Sequence, residues 1–392
     1  MRTRLAAAAL ALAALTPAVA FTAPAHSAVH SVVQTPPINE TALRKSIAGL
    51  PAADATAAEV RVSGTAGSWH GVSGVTDLRH RRPAKEGARF RAGSVTKVLT
   101  TSVVLQLVAE GEVSLDRTVQ DYLPGLLPAD YPPIKLAQVL NHTSGLPAPT
   151  SEGGFERVYA ERFDTITPEE YVADAVRNPI EFTPGTKQHY LNINTFVEGL
   201  VIEKVTGHSY EREVATRVLR PAGMRQSYFP GTSVKVHGRH NRGYQVVPKG
   251  FPDSFRYGDA YVVDVTEMEV TSTWASGDLI TTTPDLERFT KALFGGRLVP
   301  AEQLELMFTV PKVTMYGSED EPAHYTSGLT EIPLPGGLVA YGKTGARYGS
   351  SAGIGGLRDL SRFVVYSVNS TDAKAQGQNE RGLGIALASF AK

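Results

Sequence analysis

The sequence predicts an α+β fold: one antiparallel sheet contributed by both ends of the chain, flanked by helices, with a mostly helical lobe inserted between them. Three observations carry this. Near the N-terminus Ala58-Glu59-Val60-Arg61-Val62 alternates as a half-buried strand does, and Ser68 to Val75 can return as its hairpin partner. Near the C-terminus Leu338-Val339-Ala340-Tyr341, Ala352-Gly353-Ile354 and Phe363-Val364-Val365-Tyr366-Ser367-Val368 read as consecutive strands, closed by a helix from about Asn379 to Phe390. Between them the chain is loop and helix. The expected division is a sheet lobe of residues 29–114 and 262–392 and an inserted lobe of residues 115–261.

Along the chain, a proline-containing lead-in holds a helix at Glu40 to Leu50. The run Val95, Val98, Leu99, Val103, Val104, Leu105, Leu107, Val108 is apolar nearly all round, which predicts a buried core helix stopped at Gly111. Loops follow at Tyr122-Leu123-Pro124-Gly125 and Tyr131-Pro132-Pro133, then a short helix ending near Leu140. Further helices are expected at Pro168 to Val176, Asn194 to Val205 (with Gly207 as its stop) and Tyr210 to Leu219. Pro284 at a first helical turn marks another.

The chain has 392 residues, 42% of them hydrophobic, enough to bury a large core. Lys plus Arg and Asp plus Glu are both 39, which argues against nucleic acid or an anionic membrane surface as partner. Met1-Arg2-Thr3-Arg4, an alanine- and leucine-rich run from Leu5 to Phe21, and small residues at Ala23-Pro24-Ala25 and Ala25-His26-Ser27 predict a secretory signal peptide over residues 1–28. The run is short and contains Pro17, so a membrane anchor is not expected. Cysteine is absent, which excludes disulfides, a cysteine nucleophile and thiolate metal sites. No H-E-x-x-H occurs and the ten histidines show no metal-ligand spacing, so no metal or other cofactor is expected.

Ser94-Val95-Thr96-Lys97 heads the buried helix. Positions 94 and 97 share a helical face, so a hydroxyl and an amine lie within reach, a nucleophile beside its proton acceptor. Alternatively Ser94 only caps the helix. Two other motifs lack their mechanism. Gly337 to Thr344 satisfies the P-loop pattern, but its interior Leu-Val-Ala-Tyr is strand-like and no helix follows. Gly349-Ser350-Ser351-Ala352-Gly353 matches a nucleophile elbow, yet no histidine follows His324 to serve Ser351 as base. Tyr190-Leu191-Asn192, after a Pro184-Gly185-Thr186 turn, and Lys343-Thr344-Gly345, on a strand, complete an ordered set with Ser94 and Lys97.

On these motifs the chain resembles the penicillin-recognising serine hydrolases, in the branch holding D-alanyl-D-alanine carboxypeptidases and class C β-lactamases. Phe90-Arg-Ala-Gly-Ser94-Val-Thr-Lys97, Gln106-Leu-Val-Ala-Glu-Gly, Leu140-Asn-His-Thr-Ser-Gly-Leu146 and Ile202-Glu-Lys-Val-Thr-Gly207 extend the likeness over Arg89 to Ser370. The resemblance implies a β-lactamase/transpeptidase-like fold. It implies Ser94 as the acylated nucleophile, with Lys97 and Tyr190 sharing the proton work. It implies Asn192 as a hydrogen-bonding partner of a substrate amide. The N–H groups of Ser94 and Ala346 become the oxyanion hole, and Lys343 and Thr344 hold a substrate carboxylate. His142, tempting as a base, lies in what is a shaping loop in that family.

Several residues depart from the family pattern. Leu191 stands where serine is common, and the third motif is K-T-G rather than the H-T-G of several carboxypeptidases. Arg347, just beyond it, is expected at the mouth of the site, able to bind an acid group. Gly328-Leu329-Thr330-Glu331 lacks the arginine with which some carboxypeptidases grip a terminal carboxylate. No S-D-N and no E-x-x-L-N loop of class A enzymes is present. The expectation is a secreted, monomeric serine hydrolase, foremost a D-alanyl-D-alanine carboxypeptidase-type peptidase. Its substrate would be a small molecule or peptidoglycan peptide, and β-lactams would acylate it. A class C-like β-lactamase or esterase is the alternative within this chemistry, and a non-catalytic penicillin- or peptidoglycan-binding module the alternative outside it.

Overall fold

Both chain ends meet in one sheet. In the computed structural model, which describes residues 35–150, 153–374 and 380–391, strands β1 (Ala55–Ser63) and β2 (Trp69–Gly74) form the expected N-terminal hairpin. The expected signal peptide lies outside the described residues. Strands β6 (Thr330–Pro333), β7 (Val339–Arg347), β8 (Ser350–Leu357) and β9 (Phe363–Ser370) complete a six-stranded sheet in the order β6-β7-β8-β9-β1-β2. β1 pairs antiparallel with β9, Val60 opposite Tyr366, so the first and last strands are neighbours inside the sheet.

Strand alternation decides what covers each face. On β1 and β9, Val60, Val62, Val364, Tyr366 and Val368 point to one side. There helices α1 (Glu40–Ser46) and α5 (Glu380–Phe390) bring Leu43 and Ile385 against them. Glu59 and Arg61 of β1 point to the other side and bond to Thr283 and Glu287 of helix α4 (Thr283–Phe294). Val365, Ile354 and Ala352 on that side join the main core, which includes helices α2 (Thr96–Ala109) and α3 (Asn192–Thr206). Every residue of β8 and β9 is buried, which is why those strands read as continuous apolar runs. α2 is buried on all sides over its first turns, where Thr96, Thr100, Thr101 and Ser102 alternate with Val98, Leu99 and Val103 and satisfy their hydroxyls by hydrogen bonds.

The chain between residues 115 and 261 is less helical than its sequence predicts. Besides helices such as Leu136–Leu140 and Pro168–Ala175 it carries a three-stranded sheet of β3 (Tyr244–Val247), β4 (Phe255–Tyr257) and β5 (Ala260–Asp264), in the order β3-β5-β4. These strands are three to five residues long and separated by Pro248-Lys249-Gly250 and Gly258-Asp259, too short for periodicity to register. Val247, Val263 and Val265 nevertheless pack on Tyr159 as a separate small core.

One close approach joins sheet to helix. A 3₁₀ turn at Gly93–Val95 precedes α2 and lies against β7. Gly93 has φ of 53°, and a Cβ there would stand 2.6 Å from the backbone nitrogen of Ala346. A Cβ on Gly345 would overlap the carbonyl oxygen of Ala92 and lie 2.8 Å from the nitrogen of Ser94. Two backbones touch here because neither residue has a side chain. Gly345→Ala is therefore expected to destabilise the fold by about 2 kcal/mol or more through backbone displacement. Urea unfolding of the two proteins measures it; equal midpoints would show that the contact is slack.

Candidate active site

Ser94 sits in the 3₁₀ turn, half-exposed, while Lys97, one turn on, is 1% exposed. The Lys97 Nζ lies 3.2 Å from Ser94 Oγ, 2.8 Å from Asn192 Oδ1 and 2.8 Å from the carbonyl oxygen of Ser276. Two of these partners can only accept. A neutral amine has two N–H groups and one lone pair. With both N–H groups turned to Asn192 and Ser276, the lone pair is left for the Ser94 hydroxyl. Burial pushes the Lys97 amine down to about 8, with the positive charge of Lys343 acting the same way and Tyr190 opposing it.

Tyr190 enters at the start of α3, where the chain turns from extended backbone at Leu191 into the helix. The Lys343 Nζ lies 4.5 Å from its ring centroid and Lys97 Nζ 5.2 Å, so the phenol is enclosed by the two amines. Its hydroxyl is buried beside the Lys97 amine. Tyr325 stacks on one side at 4.8 Å, and the buried ring of His142 lies 4.7 Å away. Desolvation and the nearby positive charges hold His142 well below the usual imidazole range, so it forms a neutral wall, with its backbone at φ 61°. Lys343, on β7, is 7% exposed and donates to the Thr344 carbonyl at 3.0 Å; burial pushes it too down to about 8. Thr344 beside it is exposed.

The structure thus brings Ser94, Lys97, Tyr190, Asn192 and Lys343 into one cluster, with Thr344 and Ala346 on the strand beside it. The Gly93–Gly345 contact draws the backbone nitrogens of Ser94 and Ala346 together at its edge. Asn192 differs in part from its expected role, because its oxygen is taken by Lys97 and only its amide nitrogen is left for a substrate. Arg347 is a correction. Its guanidinium is not at the mouth; it is 7% exposed and reaches the Glu269 carbonyl at 3.4 Å, beside the equally buried Arg91. Strand alternation turns residue 347 inward with 343 and 345. Arg91 holds the same segment through the carbonyls of Val234, Thr266 and Met268.

The two discarded motifs prove to be sheet. Residues 339–347 are strand rather than a loop opening a helix, and Ser351 is buried in β8, accepting a hydrogen bond from Ser370. Sequence reasoning missed Ser276 and Tyr325. Ser276 contributes a backbone carbonyl from the short helix Trp274–Gly277, which any residue type can supply, so no sequence signal marks it. Among the described residues no cluster of His, Cys, Asp and Glu is arranged to hold a metal ion, and no helix is long and apolar enough to cross a membrane.

Comparison with known proteins follows the same lines. Over residues 38–387 the chain matches the sequence model of the Beta-lactamase family. Putative penicillin-binding protein PbpX of Bacillus subtilis is 27% identical over 62% of this chain and 56% of its own length. Esterase EstB of Burkholderia gladioli is 32% identical over 40% of this chain and 42% of its own. The chain thus spans about half the length of these curated relatives. A D-stereospecific amidohydrolase from Streptomyces sp. superposes with a TM-score of 0.76 at 29% identity, covering 90% of this chain and 98% of that one. With its sheet, its helices and this match along nearly its whole length, the chain belongs to the Beta-lactamase family of serine hydrolases.

Proposed function

We propose that the protein hydrolyses an amide or peptide bond through an acyl-enzyme on Ser94, in the manner of a D-alanyl-D-alanine carboxypeptidase-type peptidase or a D-amino-acid amidase. The observation that carries this is the buried Lys97 amine, 3.2 Å from Ser94 Oγ, with Asn192 Oδ1 and the Ser276 carbonyl oxygen placed to accept the two N–H groups of its neutral form. In this reading neutral Lys97 takes the proton of Ser94 as Oγ bonds to the substrate carbonyl carbon. The N–H groups of Ser94 and Ala346 hold the oxyanion. Tyr190 gives its proton to the leaving nitrogen as the C–N bond breaks and recovers one from Lys97. Water then attacks the ester by the same route in reverse, releasing the acid and restoring Ser94. The leader expected at residues 1–28 is the basis for proposing a place outside the cytoplasm.

The likeness to the Streptomyces amidohydrolase supports the amide reading, and similarity to putative D-alanyl-D-alanine carboxypeptidases of Salmonella, 26% identical over 40% of this chain, supports the peptidase form. The inward turn of Arg347 leaves Lys343 as the cation for a terminal carboxylate. The EstB likeness favours a second reading, ester hydrolysis by the same chemistry.

Labelling with a fluorescent penicillin tests the nucleophile. Wild type is expected to label and Ser94→Ala not; label on Ser94→Ala, or none on wild type, contradicts the assignment. Lys97→Met is expected to lower kcat/KM by about 10²- to 10⁴-fold. The pH profile tests the amines. Lys97 acts deprotonated, so kcat/KM rises with pH through about 8 and then levels for a neutral amide or ester. Lys343 binds carboxylate only while protonated, so for a peptide with a free C-terminal carboxylate KM should rise above about 8 and kcat/KM give a bell. Identical profiles for the two substrates would remove Lys343 from carboxylate binding.

A further inference from the structure

We propose that an aromatic wall of Phe155 and Tyr348, backed by Phe251 and Tyr159, is the acyl-side subsite, and that it selects substrates whose acyl group carries an aromatic or comparably bulky apolar side chain. This rests on the acyl-enzyme reading above and names the substrate class within it.

Strand β7 sets the direction. The proton donor Tyr190 lies against Lys343, and Lys343 and Thr344 precede Ala346 on the strand, so the leaving group lies toward its N-terminal end. With the carbonyl held at Ser94 and Ala346, the acyl group must extend the other way. Two residues beyond Ala346, about 7 Å at strand rise, is Tyr348, the first turn residue between β7 and β8.

Tyr348 meets Phe155 with ring centroids 4.7 Å apart, and Phe155 stacks on Phe251 at 5.5 Å. All three are partly exposed, while Tyr159 behind them is buried, 5.2 Å from Phe251 in an edge contact, with the Arg162 guanidinium 3.9 Å from its ring centroid. The wall is tied to the catalytic end of the strand. The Glu269 N–H donates to the Arg162 carbonyl at 2.7 Å, and the Glu269 carbonyl accepts from Arg347, next to Tyr348. Partly exposed rings held from behind can offer an apolar face to a side chain without reorganising. Phe155 and Tyr348 come from segments nearly 200 residues apart, so no linear motif contains them.

The experiment compares 4-nitrophenyl 3-phenylpropanoate with 4-nitrophenyl acetate, which share a leaving group and differ only in acyl side chain. For each, kcat/KM is divided by the uncatalysed rate. Wild type is expected to prefer the phenylpropanoate by about tenfold or more, since a hydrophobic pocket discriminates on this scale. Phe155→Ala and Tyr348→Ala should each bring the ratio toward one. Being a ratio, it does not depend on how much of a variant is folded. A wild-type ratio near one, or a preference unmoved in both variants, overturns the subsite while leaving the acyl-enzyme intact. Failure of wild type on both esters together with failure of penicillin labelling overturns the acyl-enzyme, and the subsite with it.

Discussion

The site depends on removing the Lys97 amine from water. An ammonium buried at the start of a core helix is disfavoured unless oxygens surround it, and here burial moves its pKa from 10.5 to about 8, on the order of 3 kcal/mol against the charged form. Three separate segments converge to satisfy what remains: Ser94 from the turn before α2, Asn192 from the start of α3, Ser276 from the helix before α4. The fold must hold all three for the amine to present its lone pair to the serine. Lys343 strengthens the effect by placing a second positive charge across Tyr190.

The second constraint is steric. β7 can lie against the turn bearing Ser94 only because Gly93 and Gly345 lack side chains, and that contact brings the nitrogens of Ser94 and Ala346 to one edge. The K-T-G triad therefore does two jobs: its lysine flanks the tyrosine, and its glycine lets the strand approach the nucleophile. Sheet and helices are coupled at the point where the proposed chemistry occurs, which is why both chain ends are needed to build it.

Much of this was legible in the sequence, for identifiable reasons. Ser94 and Lys97 stand three apart on a helix, and the chain-end strands carry strong alternation or unbroken apolar runs. What escaped was non-local or carried by backbone. Ser276 acts through a carbonyl that no side chain advertises. Arg347 follows the triad closely enough to suggest a role at the mouth, but strand alternation points it inward to the Glu269 segment. The sheet of residues 244–264 hides in strands shorter than the periodicity that would reveal them. Asn192 lies in the cluster with Ser94 and Lys97, but its oxygen serves Lys97, a partner that no sequence pattern specifies.

The proposed chemistry depends on the protonation state of one amine. Its most direct test is the titration of Lys97 itself, by NMR of protein carrying ¹³C at lysine Cε, with the Lys97 resonance identified by its loss in Lys97→Met. The expected midpoint is near 8, well below the ordinary lysine value of 10.5. A midpoint near 10.5 would leave almost no free amine at neutral pH, against about a tenth at a midpoint of 8, and would contradict the assignment of Lys97 as the acceptor of the Ser94 proton.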